Sequence, residues 1–512
     1  MSSCAIDATS IGGLRSNVTV LGAVPLRRSG HPVPRSETRL RDDAPQLLVL
    51  VACAVTFYLA PWPLVYIPAL TALLGLALLW PRLALALVPL FAPLFMQPKH
   101  LGAERFAPSE VFLLVAFVGA AAPTSPLWDD PREAWLRVRL SPFLAPLALL
   151  LVSALVSSVF AADRHQALQY LRLVVIEPVV FYLLLTALLT TERDWWHPFA
   201  AAVAGGIAVG IVGLVQQITQ QGLGSVPGTS ILHIRSVYGS PNNIGLFYDR
   251  VVPVWLAFLL FLPVRRLLWV GQVALGCVLL STLFLTASRG AWAAVALGCI
   301  ALLAVRFSWG KWFALVILVV GVVVIGLEGQ RVVHAFGFGH KDTASRRVDI
   351  WRSSWQMIRH RPLTGVGPDN FLHYYAPPTD KYSGCPPGLG YVRPGAVSEP
   401  CESHPHDEFL DFYLSTGPLG LVAFLWIQAL FWTRARPLWR APDSALERAL
   451  LAGTAAGMLA AVAHGLVDNS YFLIDLSILF WLFVGYVTYL TLRGETVGEA
   501  TVAIPPARAH GS

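Results

Sequence analysis

The fold class that this sequence predicts is an all-α, polytopic transmembrane helix bundle of about twelve to fourteen spans, with one large loop outside the membrane. Three observations predict it. The 512 residues are 55% hydrophobic and only 13% charged, whereas an average soluble chain is about 25% charged. Mean hydropathy is +0.61. The apolar residues form continuous runs rather than alternating, so the spans are helices and not the strands of an outer-membrane barrel. The net charge is +7, but the basic residues sit in short connectors between apolar runs. That pattern suits the positive-inside rule and excludes a phosphate-tracking nucleic-acid binder.

The elements follow in chain order. Residues 1–45 hold basic clusters among Gly, Ser and Pro and read as a disordered cytoplasmic tail, not a secretory signal. A membrane helix needs about 20 mainly apolar residues. Candidate spans of an N-terminal bundle, 46–328, lie near 46–60, 64–80, 82–97, 109–123, 142–161, 166–190, 198–217, 244–263, 267–286, 289–306 and 310–328, the first three short and Pro-rich. Residues 329–408 form a large extracytoplasmic loop. Spans near 409–433, 446–467 and 471–492 make up the C-terminal bundle, 409–493, and 494–512 is a second disordered tail. Arg82, Arg137, Arg193, Arg265, Arg306, Arg434 and Arg493 fall on alternate connectors; placing all of them inside leaves both termini cytoplasmic. A loop of about 80 residues is far longer than most connections and is usually functional. No internal repeat of the transporter kind stands out.

Several polar residues sit where apolar runs meet the outer side. Arg172 and Glu177 lie in ALQYLRLVVIEPVVFYLL, Arg235 in HIRSVYGSPNNIG, Arg289 in LTASRGAW, and His464, Asp468 and Asn469 in AVAHGLVDNSYF. Charges in or beside hydrocarbon are costly and normally mark substrate sites or internal partners. Each has a plainer reading: Arg172 paired with Glu177, Arg289 snorkelling, Asp468 capping the last helix with Asn469 and Ser470. Together, three arginines on the face where topology disfavours positive charge suit a phosphate or pyrophosphate.

Within the loop, Val348, Trp351, Trp355 and Ile358 recur at helical spacing, with Arg346, Arg347, Arg352 and Arg359 on other faces. This predicts an amphipathic helix on the membrane surface; the plainer reading is a lid held down by its Trp anchors, the sharper one that its arginines also guide an anionic lipid-linked substrate. Next comes CESHPHDEFLDFYLSTGPLGLVAF. His406, beside carboxylates, is a candidate general base because an imidazole titrates near neutrality. His404 is its neighbour. Two readings compete: a pair of solvated loop histidines, and a His-x-His metal site, for which no third and fourth ligand at a recognised spacing is present; the expectation is no metal and no cofactor. Cys385 and Cys401 share the loop; a disulfide between them would hold the segment leading to the histidines, against the alternative of two free thiols. Cys53, Cys277 and Cys299 fall in apolar runs as packing residues.

Taken in order, SPNNIG, LTASRGAW, RVDIWRSSWQMIRHRPLTGVGPDNF, HPHDEFLDFYLSTGPLG and HGLVDN resemble the O-antigen ligase and O-antigen polymerase superfamily of membrane glycosyltransferases, from about Leu171 to Gly485. The most specific piece is His406, Asp407, nine residues, then Gly417 and Gly420; the family more often has Asn, Ser or Gln where this chain has Asp407. The resemblance implies a GT-C-like enzyme of the inner or plasma membrane with its active site on the periplasmic side. It implies transfer of a glycan from an undecaprenyl-diphosphate carrier to an acceptor hydroxyl, on a glycan or lipid-linked acceptor, without a metal. It implies His406 as the essential histidine, Arg235 and Arg289 as donor-diphosphate contacts, and Arg172 as a further match. Asn243, His404, Arg346 and Asp468 complete the candidate substrate contacts. The alternative is a lipid-linked oligosaccharide flippase or another transporter, which would carry charge through the depth of the membrane. A membrane scaffold explains neither the arginines nor the histidine motif.

Overall fold

The computed structural model describes residues 43–225, 232–312, 316, 343–375, 403–439 and 442–502. Most of the tail 1–45, nearly all of the span near 310–328 and the Cys385–Cys401 pair lie outside the described residues.

The described chain is almost entirely helical. It begins with α1 (Ala44–Leu59) and α2 (Pro63–Leu79), each with a proline in its first turn, where the missing N–H costs nothing. The next apolar run does not form one helix. Pro81, Pro89 and Pro93 divide it into α3 (Pro81–Ala84), α4 (Leu87–Phe91) and a 3-10 turn (Ala92–Leu94), since proline removes a helical donor. A hairpin of β1 (Lys99–Leu101) and β2 (Glu104–Phe106) leads to α5 (Pro108–Ala121). Then come α6 (Pro131–Arg139), α7 (Leu144–Val159), α8 (Arg164–Leu171), a π-turn (Arg172–Ile176), α9 (Glu177–Leu188) and α10 (Glu192–Thr219). Pro178, which cannot donate back along the helix, accounts for the π-turn. A second hairpin, β3 (Gly224–Ser225) with β4 (Leu232–His233), precedes α11 (Pro241–Phe261), α12 (Arg266–Leu285) and α13 (Arg289–Arg306). The loop contributes α14 (Thr343–His360) and α15 (Phe371–Tyr375); α16 (Glu408–Leu438), α17 (Ala445–Gly465) and α18 (Ile474–Val502) complete the bundle. The last helix thus continues past 494, where the sequence reading places a tail.

Among the described residues eight helices are long and apolar enough to cross a membrane, or nine if the bent pair α6–α7 is one span. That is fewer than the fourteen apolar runs. The four runs before residue 123 account for most of the difference: α1, α2 and α5 have 16, 17 and 14 residues, or about 21–26 Å at 1.5 Å per residue, short of a hydrocarbon core of about 30 Å.

The spanning part of α18, Ile474–Gly494, is almost wholly buried, with α9, α10, α16 and α17 around it. α11 and α17 form the most extensive helix pair, and α13 packs on both. Small residues let these backbones approach closely, as membrane helices require when lipid removes the hydrophobic drive. A Cβ on Gly453 would lie 2.9 Å from Val254 Cα, and one on Gly298 2.9 Å from the Ala456 carbonyl oxygen.

Candidate active site

The N-termini of α8, α11, α13, α16 and α18 and the C-termini of α10, α12 and α17 meet at one end of the bundle. The loop residues are bedded on that end. Ser157 Oγ donates to Thr364 O at 2.5 Å, Asn370 Oδ1 accepts from Asp163 N at 2.8 Å, and Gln166 Nε2 donates to Asp369 Oδ2 at 2.8 Å. Val366 N and Gly367 N both donate to Leu414 O, at 2.7 and 3.1 Å. Gly365 is required there: its φ is +67°, and a Cβ would lie 2.3 Å from that same carbonyl oxygen. Burial and the carboxylate's isolation from water push the Asp369 carboxyl up, against the opposing pull of Gln166 and of nearby His373 and His404.

α14 is the predicted loop helix, but its buried stripe is Ile350, Met357 and Ile358, which cluster with Val366, Phe371, Tyr374, Tyr375 and Leu414. Val348 and Trp355, expected on the apolar face, are 40% and 53% exposed. The helix folds onto its own following segment, which selects a face rotated from the one that spacing favours. Trp351 faces the site: its Nε1 donates to Pro405 O at 3.1 Å, the carbonyl between the two histidines.

His406 is held in the left-handed region at φ 51°, a conformation uncommon outside glycine that signals constraint at functional positions. Its Nδ1 lies 2.8 Å from Asp468 Oδ1. Asp468 sits in the α17–α18 connector, 2% exposed, and accepts also from Asn469 N at 2.9 Å. His404 Nε2 is 3.5 Å from the same oxygen, while Arg347 Nη2 is 3.6 Å and Asn242 Nδ2 3.4 Å from Oδ2. Burial pushes the Asp468 carboxyl up, but the flanking His406 and His404 rings outweigh it and hold the group well below the usual carboxylate range. Asp468 is therefore an ionised partner that fixes one imidazole nitrogen of His406 as the donor and leaves Nε2 as the basic nitrogen.

Asp407, the departure from the family pattern, is the N-cap of α16: its Oδ1 accepts from Leu410 N at 2.8 Å. Asn or Ser would supply the same acceptor, whereas Gln is not a preferred cap. Burial raises the Asp407 carboxyl, opposed by the backbone N–H groups it caps. Further along α16, Gly417 takes φ 75° and ψ 176°, a break in the helix that only glycine adopts readily. A Cβ there would also lie 3.0 Å from Leu363 O. Gly417→Ala should destabilise the protein by about 1–3 kcal/mol, read as a lowered unfolding midpoint in detergent; an unchanged midpoint would show that the kink is not constrained.

The other predicted residues fall as follows. Arg289 begins α13 at the apex of a three-residue turn from α12, with Ala287 at φ 52°. The residue after it, Gly290, abuts His464 Nε2, and His464 O accepts from Asp468 N at 3.0 Å. A chain of direct neighbours thus links Arg289 to His406. Arg235 lies on the β3–β4 side, with Nη2 donating to Leu223 O at 3.1 Å. Arg172 pairs with Glu110 and, at 3.0 Å, with Glu177, the plainer of its two readings. Asn242, rather than the neighbouring Asn243, reaches Asp468. Arg347 also reaches it, from α14; the Arg346 side chain lies outside the described atoms. The missed signal was helical spacing, because Arg347 is one turn from Trp351, the residue over the histidine segment.

His404, His406 and Asp468 also offer three ligand atoms within 4.8 Å of one another. Asp468 is the third ligand that the local sequence lacked, 62 residues away. An ion would have to replace the 2.8 Å hydrogen bond and sit next to the Arg347 guanidinium, so the arrangement fits an imidazole–carboxylate pair better than a cation site. Among the described cysteines, Cys53, Cys277 and Cys299 are free thiols.

Residues 273–425 match the family model described as O-antigen ligase. The match takes in Arg289, Arg347, His404 and His406, whereas Arg172, Arg235, Asn242 and Asp468 lie outside it. No curated protein matches the chain.

Proposed function

We propose, from the premise that the chain carries an O-antigen ligase domain across 273–425, that it is a membrane glycosyltransferase of envelope polysaccharide synthesis. In this reading it moves a glycan from an undecaprenyl-diphosphate carrier to an acceptor hydroxyl on another glycan or lipid, at the periplasmic face of the inner membrane. The observation that carries the reading is the 2.8 Å contact between His406 Nδ1 and the buried Asp468 carboxylate.

The chemistry balances with these residues. His406 Nε2 takes the proton of the acceptor hydroxyl as its oxygen attacks the anomeric carbon. The bond from that carbon to the diphosphate breaks, and the electron pair leaves with the lipid diphosphate. Asp468 stabilises the imidazolium that forms. Arg289 and Arg235 neutralise the leaving diphosphate, the task a divalent ion performs elsewhere. Direct displacement inverts the anomeric centre.

The distribution of charge weighs against a transport path. In α11 the charged residues end at Arg250, and Val251–Phe261 carries none; in α17 the stretch between Arg448 and His464 is likewise uncharged. Buried charge at the other end, such as Glu447 with Arg493 at 2.5 Å, is separate. A carrier that moved a diphosphate across would need charged groups between these two levels, which α11 and α17 do not supply.

The test is reconstitution in liposomes with a diphosphate-lipid glycan and candidate acceptors, with products sized. A ladder would identify a polymerase and a single adduct a ligase; no transfer to any hydroxyl acceptor would sink the enzyme reading. Turnover in the same assay should be unchanged by EDTA, and a loss restored by added divalent ion would move the diphosphate chemistry from arginine to metal.

A further inference from the structure

Behind His406 and Asp468 lies a second imidazole–carboxylate pair that this mechanism does not use. His464, on the last turn of α17, places Nδ1 2.7 Å from Asp249 Oδ2 on α11. The two side chains are 1% and 0% exposed. Such a pair within an apolar bundle is costly to keep and calls for a role.

The other edge of the ring supplies it. A Cβ built on Gly290 would lie 2.6 Å from His464 Nε2 and 3.0 Å from Cδ2. With Nδ1 fixed by Asp249, the ring cannot swing away to make room. Gly290 immediately follows Arg289, and the same first turn of α13 is bedded on α11, where a Cβ on Gly245 would lie 2.5 Å from Ala291 Cβ. The His464 carbonyl meanwhile accepts from Val467 N at 2.9 Å and Asp468 N at 3.0 Å. One residue therefore touches the start of the Arg289 helix through its ring and begins the Asp468 turn through its backbone.

We propose that His464 and Asp249 are positioning residues that clamp the first turn of α13, so that Arg289 is presented to the donor diphosphate in fixed relation to Asp468 and His406. This rests on the assignment of Arg289 to the donor. The short turn from α12 leaves no slack, so a shift at Gly290 moves the guanidinium with it.

The experiment uses the purified full chain with Asp249→Asn, Gly290→Ala, His464→Ala, the Gly290→Ala/His464→Ala double variant, and Arg289→Ala as the control for the donor reading. Donor KM and acceptor KM are measured separately, together with amide hydrogen exchange over 286–292. Asp249→Asn and Gly290→Ala should raise donor KM roughly tenfold or more, as small misplacements of a positioned group do, leave acceptor KM unchanged, and speed exchange over 286–292. In the double variant the methyl occupies space vacated by the ring, so its loss should not exceed that of His464→Ala alone. Unchanged exchange, fully additive losses, or an unchanged donor KM in Asp249→Asn while Arg289→Ala raises it would each overturn the clamp. An Arg289→Ala enzyme with the parent donor KM would instead remove Arg289 from the donor site, and the exchange data would still decide whether the clamp exists.

Discussion

Replacing His406 with alanine lowers turnover by about 10²–10⁴-fold, the range that a positioned general base supplies, while the diphosphate-linked donor still binds. The expectation follows from geometry. Nδ1 is committed to Asp468 at 2.8 Å, which orients the ring and leaves the opposite nitrogen for the acceptor proton. The measurement is kcat against donor affinity in the same preparation. Wild-type turnover in His406→Ala would remove the base assignment; equal losses in turnover and donor binding would make His406 a binding residue.

Asp468→Asn has the second largest effect. The shape is kept and the charge is lost, so the imidazolium formed during transfer has no counter-ion and the ring can adopt the wrong tautomer. A loss of about 10²–10⁴-fold in kcat is expected, comparable with losing the base itself, and the Asp468→Asn/His406→Ala double variant should be little worse than either alone. The same substitution has a signature in stability. The folded-state carboxyl lies well below the usual carboxylate range despite its burial, because of His406 and His404. A depressed value contributes stability above the unfolded value of about 3.9 and loses it as pH falls through the folded one. The gap in unfolding midpoint between parent and Asp468→Asn should therefore persist from pH 7 down to about pH 4 and close only in more acidic buffer. A gap that closes between pH 7 and 5 would show that Asp468 is not held as the ionised partner.

Much of the fold was legible because lipid imposes a simple rule on the chain. Apart from the run near 310–328, nearly all of it outside the described residues, the continuous apolar runs from 142 onward became α7 to α13 and α16 to α18, the last of them extended at its C-terminal end. The rule failed where prolines interrupt a run, as in α3 and α4, and where a run is shorter than the membrane, as in α1, α2 and α5. Within the site, SRG pointed to Arg289 because a charge is costly where it stands, and HPHDEF to His406 because an imidazole beside carboxylates titrates near neutrality. The choice among neighbours was not legible. Asn242 against Asn243 depends on which side chain points at Asp468, and adjacent residues point about 100° apart on a helix. The lid helix turned out to bury Ile350 and Met357 because its partner is the segment 366–375 and not lipid alone.

The sequence by itself determined the class of protein, a helical membrane bundle with a polar cluster at one end, since hydropathy and charge placement act locally along the chain. Only the tertiary structure decided the pairings: His406 with Asp468, 62 residues apart, and His464 with Asp249, 215 residues apart. Such pairs are set by where separate helices end in space. A hydrogen bond of under 3 Å depends on that meeting, which neither spacing nor periodicity along one chain encodes.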